Sequence, residues 1–362
     1  MRPTLFWIIL LAAAPVFGQT ADGEKKWNQT LAAAKKEATV VVAGFPDPVM
    51  RKEIIPRFTA RFGIPVEFIA GRSSEIAARV RTERNAGLYT MDVFMAGPDT
   101  TAQVLYKERM LEPLKPLFLL PEVVDPSKWK NAKLWFIDPE ETYVFRPFSG
   151  VRGILHVNTS YVKPEEMRAA TDLLHPRWRG KIATEEPAAV GAGANKAARF
   201  LLQMGEEFVI KLYRDQKPVV SRERRQMADW LARGTQPICL NCDEDNIRPL
   251  QQEGFKIQEV FELPPMPATI NASPWLLTAA NRPPHPNAAA IFLNWIVSKE
   301  GLEIYSKGFG APTLRRDVTE SFLNPASIPR PGAQYLDDAE WQWIMTGRQE
   351  SSERVRKLLT SR

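Results

Sequence analysis

The side chains best placed for chemistry lie in short loops between apolar runs, and the chemistry they suit is capture of an anion. Gly71-Arg72-Ser73-Ser74 stands directly before a helical pattern. The Arg72 guanidinium offers a planar fork of donors to a carboxylate, phosphate or phosphonate. Ser73 and Ser74 add hydroxyls beside the unpaired N–H groups of a helix start. Serines there equally serve as plain helix caps, and Arg72 equally pairs with Glu75 on the surface. Phe45-Pro46-Asp47 and Gly97-Pro98-Asp99 close two other strand-like runs in the same manner, which adds Phe45, Gly97, Pro98 and Asp99 to the candidates. Further along, Thr184-Glu185-Glu186-Pro187, Gly191-Ala192-Gly193 and Asn241-Cys242-Asp243-Glu244 supply Thr184, Glu185, Gly191, Asn241 and Asp243. The two glycines let backbone approach a ligand, or simply turn the chain. Arg146 and Arg152 flank an extended stretch and either reach a cleft or make surface ion pairs. Arg222, Arg224 and Arg225 read as a solvated helix face.

Bond-making chemistry is not expected. The chain lacks a Gly-x-Ser-x-Gly elbow and a His-Glu-x-x-His zinc motif. His156, His175 and His285 have no second His or Cys at ligand spacing, so structural roles are expected, with no metal, no cofactor and no catalytic residue. Cys239-Leu240-Asn241-Cys242 is half of a zinc site without its other half, and a short disulfide and two free thiols both remain open.

The elements that must position these loops alternate. Residues 39–43, 66–70 and 91–96 are strand-like; helical spacing follows each, over 49–62, over 75–85 and from 100. Strand, loop and helix three times over argue for a parallel α/β sheet. Residues 111–138 are proline-rich and irregular, and 142–145 and 152–158 are extended. A second α/β run has strands at 181–183 and 237–240, helices over 193–204, 224–233 and 243–253, and an extended stretch at 255–263. A strand at 275–280 and a long apolar helix to Val297 follow, and residues 337–362 read as one amphipathic helix.

Composition bounds the rest. With 44% hydrophobic and 25% charged residues and a formal charge of +6, the chain is globular, and its length suggests two domains. The basic residues are scattered, which predicts no nucleic-acid partner. Arg2 followed by an apolar run over 6–16 and Val16-Phe17-Gly18 has the pattern of a cleaved secretory signal peptide over residues 1–18. The mature chain is then expected to be exported and periplasmic.

Two blocks carry a family resemblance. Thr171-Asp172-Leu173-Leu174-His175-Pro176-Arg177-Trp178-Arg179-Gly180-Lys181-Ile182-Ala183 resembles the "DLLdPkWkGKIa" block of periplasmic solute-binding proteins of ABC transporters. The stretch beginning Pro284-His285-Pro286-Asn287-Ala288-Ala289 and running through Trp295 to Gly301 is similar to their "apHPNAAklFldWllSkeGQ" block, and Pro312-Thr313-Leu314-Arg315-Arg316-Asp317-Val318 to the motif after it. The branch resembled contains ferric-ion, thiamine and organophosphonate binders. It implies a two-lobed α/β fold of the class II binding-protein type, each lobe a mostly parallel sheet flanked by helices and hinged by crossing strands. Lobe 1 would comprise residues 30–148 and 268–325, lobe 2 residues 149–267, with a helical tail over 326–362. It also implies a monomer that closes on a small, anionic organic solute and delivers it to an ABC permease. Ferric binders of this branch use adjacent tyrosines; here Tyr89, Tyr106, Tyr143, Tyr161, Tyr213, Tyr305 and Tyr335 are all apart. A ferric-ion or ferric-chelate binder is the first rival reading, and a secreted hydrolase or metalloenzyme the second.

Overall fold

A computed structural model describes residues 17–189 and 192–361; most of the expected signal peptide and the candidate Gly191 lie outside the described residues. Along the chain, helix α1 (Phe17–Glu37) leads to β1 (Val40–Gly44), α2 (Ile55–Phe62), β2 (Val66–Ala70), α3 (Ser73–Asn85), β3 (Val93–Ala96), the single turn α4 (Pro98–Thr100), β4 (Leu111–Glu112) and α5 (Pro121–Val124). Strand β5 (Gly150–Arg152) crosses to a second body built from β6 (Leu155–Asn158), β7 (Ile182–Thr184), α6 (Ala192–Ile210), β8 (Val219–Val220), α7 (Arg224–Arg233), β9 (Ile238–Cys239), α8 (Glu244–Gln252) and β10 (Ile257–Val260). Strand β11 (Thr269–Asn271) crosses back to β12 (Leu276–Ala280), α9 (Pro286–Ile296) and α10 (Lys299–Phe309). Strand β13 (Leu336–Asp337) and α11 (Arg348–Thr360) finish the chain.

The first sheet has the order β2-β1-β3-β12-β4 and the second β10-β6-β9-β7-β8. Strand β1, Val-Val-Val-Ala-Gly, is buried throughout because both faces of the sheet are covered, and such strands read as unbroken apolar runs. One core, including Val40, Phe58, Trp129, Phe145, Trp275 and Trp295, fills one side of the first sheet, and another, including Val41, Ile76, Phe94 and Leu276, fills the other. The second sheet is covered in the same way, with Leu155, Trp178, Phe200 and Leu212 on one side and Met227, Leu231, Cys239 and Ile247 on the other.

Both sheets are mixed, each with four strands in one direction and one reversed. Strands β1, β2 and β3 pair in parallel, but β12 runs antiparallel to β3 and β4. In the second sheet β7 pairs in parallel with β8 and β9, while β6 is antiparallel to β9 and β10. The reversed strands β6 and β12 directly follow the two crossings, so they enter each sheet from the hinge end. The third sheet, β13-β11-β5, is the hinge itself, with Arg152 opposite Thr269 and Thr269 opposite Leu336.

Both ends of the described chain add detail to the expected elements. Helix α1 starts at Phe17, inside the expected signal segment, and packs Trp27 edge-on against Phe62 and Ala34 into the core, so ordered structure precedes residue 30. Its Glu37 accepts hydrogen bonds from Asn287 and Ala288 N–H, capping α9. Residues 337–362 are not one helix: Asp337 belongs to β13, Trp343–Gly347 is a π-helical turn, and α11 begins only at Arg348. The Asp337 carboxylate accepts from Ala339 N–H and the Glu340 carboxylate from Gln342 and Trp343 N–H, which holds this stretch as turns. Ala339 and Ile344 join a core of the first body, whereas Val355, Leu358 and Leu359 join one of the second, so this segment straddles both.

Candidate functional site

Two neighbouring cavities open beside the hinge, of about 320 and 600 Å³, and both are bordered by Arg152, Asp243, Glu259 and Asn271. The smaller is walled by the hinge strands, the start of β6, the first turns of α6, the loop after β9, and the C-terminal segment. Carboxyl ends of strands facing helix starts are where open α/β sheets place ligands.

The second body builds its wall from one polar network. Asn241 Oδ1 accepts from the Thr184 hydroxyl at 2.9 Å and from Glu185 N–H at 3.2 Å, while its amide donates to the Ala192 carbonyl. Arg224 donates to Glu185 at 2.9 Å and to Asp243 at 3.3 Å. Asp243 also caps α8 by accepting from Asn246 N–H at 3.1 Å. Thr184, Glu185, Asn241 and Asp243 are therefore brought together, and Arg224 joins them although its cluster read as a solvated face. Gly193 has a purely local reason: a Cβ there would sit 2.5 Å from the Glu186 carbonyl oxygen. Cys239 and Cys242 form a disulfide, which ties the loop carrying Asn241 to the end of β9. Replacing Asp243 by Ala should cost about 0.5–2 kcal/mol of stability through loss of the cap, read by urea denaturation, whereas Asp243→Asn should recover most of it.

Five cations line the smaller cavity against three carboxylates: Arg152, Lys196, Arg199, Arg224 and Arg348 against Asp243, Glu259 and Asp338. Three of the five are committed. Arg224 is paired as above. Arg199, 8% exposed, grips Asp338 at 2.6 Å and lies 3.7 Å over the Trp343 ring. Arg348 makes two 2.6 Å bonds to Asp99 and one to the Asp338 carbonyl. The other two are not. Lys196 donates only to the Ile154 carbonyl, at 2.7 Å, and among the described residues no carboxylate pairs with it or with Arg152. Burial of the Lys196 ammonium lowers its pKa to about 8, with Arg152 adding to the shift and Asp338 and Glu259 opposing it. His156, 6% exposed, is lowered to about 4, chiefly by burial and then by Lys196 and Arg152, so its ring is neutral at pH 7.

The loops of the first body contribute less than expected. Arg72 and Ser74 are exposed and border neither cavity. Glu75 accepts from the Arg72 backbone N–H at 2.8 Å, so the start of α3 is capped by Glu75 and not by a serine hydroxyl, and among the described residues no carboxylate pairs with the guanidinium. Ser73 lies beside Gly97, 3.6 Å from where a Cβ would be. Phe45 packs edge-on against Phe309, which borders the larger cavity. Gly97 and Pro98 start α4, and Asp99 touches the site through Arg348. Sequence reasoning missed Lys196, Arg199 and Arg348. The first two stand three residues apart, one helical turn beyond Gly193, a spacing that could have been noticed. Nothing near Arg348 in sequence signals that the C-terminal segment returns to the cleft.

Two bodies joined by crossing strands, with a polar trough at the hinge, define a two-lobed binding protein. The chain belongs to the family of bacterial extracellular solute-binding proteins, which it matches over residues 53–329. A search of curated proteins returns no match. Among solved structures it is similar to the apo ferric ion-binding protein A of Pasteurella haemolytica, with a TM-score of 0.67 at 12% identity, covering 89% of this chain and 98% of that one. It is similar to the periplasmic binding protein AfuA of Actinobacillus pleuropneumoniae with fructose-6-phosphate bound, with a TM-score of 0.61 at 17% identity over 89% and 99%. A Trichodesmium protein, FutA, in complex with iron and citrate aligns with a TM-score of 0.64 at 16% identity over 89% and 98%. Among the described residues no helix is long and apolar enough to cross a membrane.

Proposed function

We propose that the protein is the periplasmic capture component of an ABC import system, that it takes a small anionic organic solute into the cleft beside the hinge, and that it hands this solute to a membrane permease. The observation that carries the reading is the pair Arg152 and Lys196, two cations on one cavity without carboxylate partners. Arg152 is exposed and Lys196 partly buried, and an incoming anion would give each a direct partner beyond the attraction that Asp338 and Glu259 exert on Lys196. Lobe closure would expel water and strengthen both contacts. The sugar phosphate in AfuA and the citrate in the Trichodesmium protein are anions of this class. A ferric site of phenolates is not favoured, because no tyrosine borders either cavity.

Thermal-shift screening of the mature protein tests the reading, since binding to the folded state raises the melting temperature. Sugar phosphates, phosphonates or polycarboxylates should raise it, and thiamine, neutral sugars and ferric salts should not. A response confined to a neutral or cationic solute would refute the anionic reading.

A pH dependence follows from Lys196. Affinity for the anion should hold below pH 8 and fall as the ammonium deprotonates above it. Stability of the empty protein should move the other way. The folded pKa lies below the unfolded value of 10.5, so the unfolded chain holds more protons between about pH 8 and 10.5, and stability rises across that window. Lys196→Met should flatten both profiles, as read by calorimetric titration and by chemical denaturation at several pH values.

A further inference from the structure

The second lobe also carries a set of side chains that anion capture leaves unused. His156 on β6 stands directly opposite Glu259 on β10, on the sheet face that α7 and α8 cover, and Glu244 opens α8 over the same face. One ligand atom from each of the three lies within 4.8 Å of the others. The Nε2 of His156 is buried and has no hydrogen-bond partner. A buried imidazole nitrogen left without a partner is uncommon, and here it belongs to a ring gathered with two carboxylates.

We propose that His156, Glu244 and Glu259 bind a divalent transition-metal cation of the zinc class. One imidazole and two carboxylates form a donor set suited to such ions, and three protein ligands leave a fourth position open. Glu259 is already oriented: one carboxylate oxygen accepts from Gly153 N–H at 2.7 Å, an outer contact of the kind that fixes metal ligands. Access exists from two sides, because Glu244 borders the larger cavity, His156 the smaller, and Glu259 both. The surrounding charges temper affinity. Arg152 and Lys196 oppose a cation, Arg248 sits 3.8 Å from Glu244, and Asp243 favours one. Micromolar binding is therefore expected in place of the much tighter binding of an all-thiolate site. An oxygen of an anionic solute entering the cavity could complete the coordination, but the cation site does not depend on that solute.

Titration of the metal-free, tag-free mature protein with zinc in a weakly coordinating buffer tests the proposal, with cobalt as a spectroscopic stand-in. The expected result is saturable one-to-one binding and cobalt absorption bands in the visible range. Glu244→Gln, Glu259→Gln and His156→Gln should each weaken binding at least about tenfold. His175→Gln and His285→Gln should leave it unchanged, since His285 is already engaged by Asp92 at 2.9 Å. Absence of stoichiometric binding would overturn the site, and so would equal affinity in the Glu244 variant. If His156→Gln fails to fold, Glu244→Gln at the partly exposed start of α8 decides the question alone.

Discussion

Arg152→Ala should weaken binding of the anionic solute by roughly ten- to a hundredfold while leaving the stability of the empty protein nearly unchanged. The residue sits at the end of β5, the first hinge crossing, where it borders both cavities. No hydrogen bond or ion pair among the described residues holds its guanidinium, so removing it breaks none and forfeits only its longer-range attraction to Glu259. A guanidinium facing a carboxylate or phosphate makes charge-assisted bonds of about 1.5–3 kcal/mol, which is the stated loss of affinity. Arg152→Lys should recover only part of it, because an ammonium keeps the charge and loses the planar fork. Arg72→Ala, by contrast, should have little effect, since Arg72 borders neither cavity. Calorimetric titration of the three variants separates these outcomes. Equal loss in Arg72→Ala and Arg152→Ala would mean that the first lobe closes its loops onto the solute.

Arg146→Ala should have the opposite signature: a loss of about 3–5 kcal/mol of stability, seen as a lower denaturation midpoint. Arg146 is 2% exposed and lies under the hinge. It pairs with Asp337 of β13 at 2.5 Å and donates to the Asn271 carbonyl of β11 at 3.1 Å, the Ser149 hydroxyl at 3.2 Å and the Phe148 carbonyl at 3.1 Å. One side chain thus joins two strands of the crossing sheet to the segment that enters the third. Truncation would strand four acceptors and leave a void among them. Arg146→Lys should restore the charge but not four contacts, and should fall between the wild type and the alanine variant.

Fold class and most of the element order were legible in the sequence because the signals are local. The strand-like run at 66–70 appears as β2 over the same residues, and the helix expected at 224–233 appears as α7. The reversal of β6 and β12 was not legible. Whether β6 and β12 run with or against their neighbours depends on where the hinge delivers the chain, which no local pattern records. The same limit applies to the site. Thr184, Glu185, Asn241 and Asp243 follow strands and could be read as loop candidates. Arg348 meets Asp99 across 249 residues, and His156 meets Glu259 only through strand register. Arg72 and the two serines carried a sound chemical argument, but a helix start is a common feature. The fold places this one away from the cavities.

The most direct test of the central claim is a crystal structure of the mature protein with the solute that the thermal-shift screen selects. The acid group of that solute should lie in the smaller cavity, within hydrogen-bond distance of both Arg152 and Lys196, with the two lobes drawn together around it. A solute bound through the loops after β2 and β3 alone, with Arg152 and Lys196 left in solvent, would contradict it.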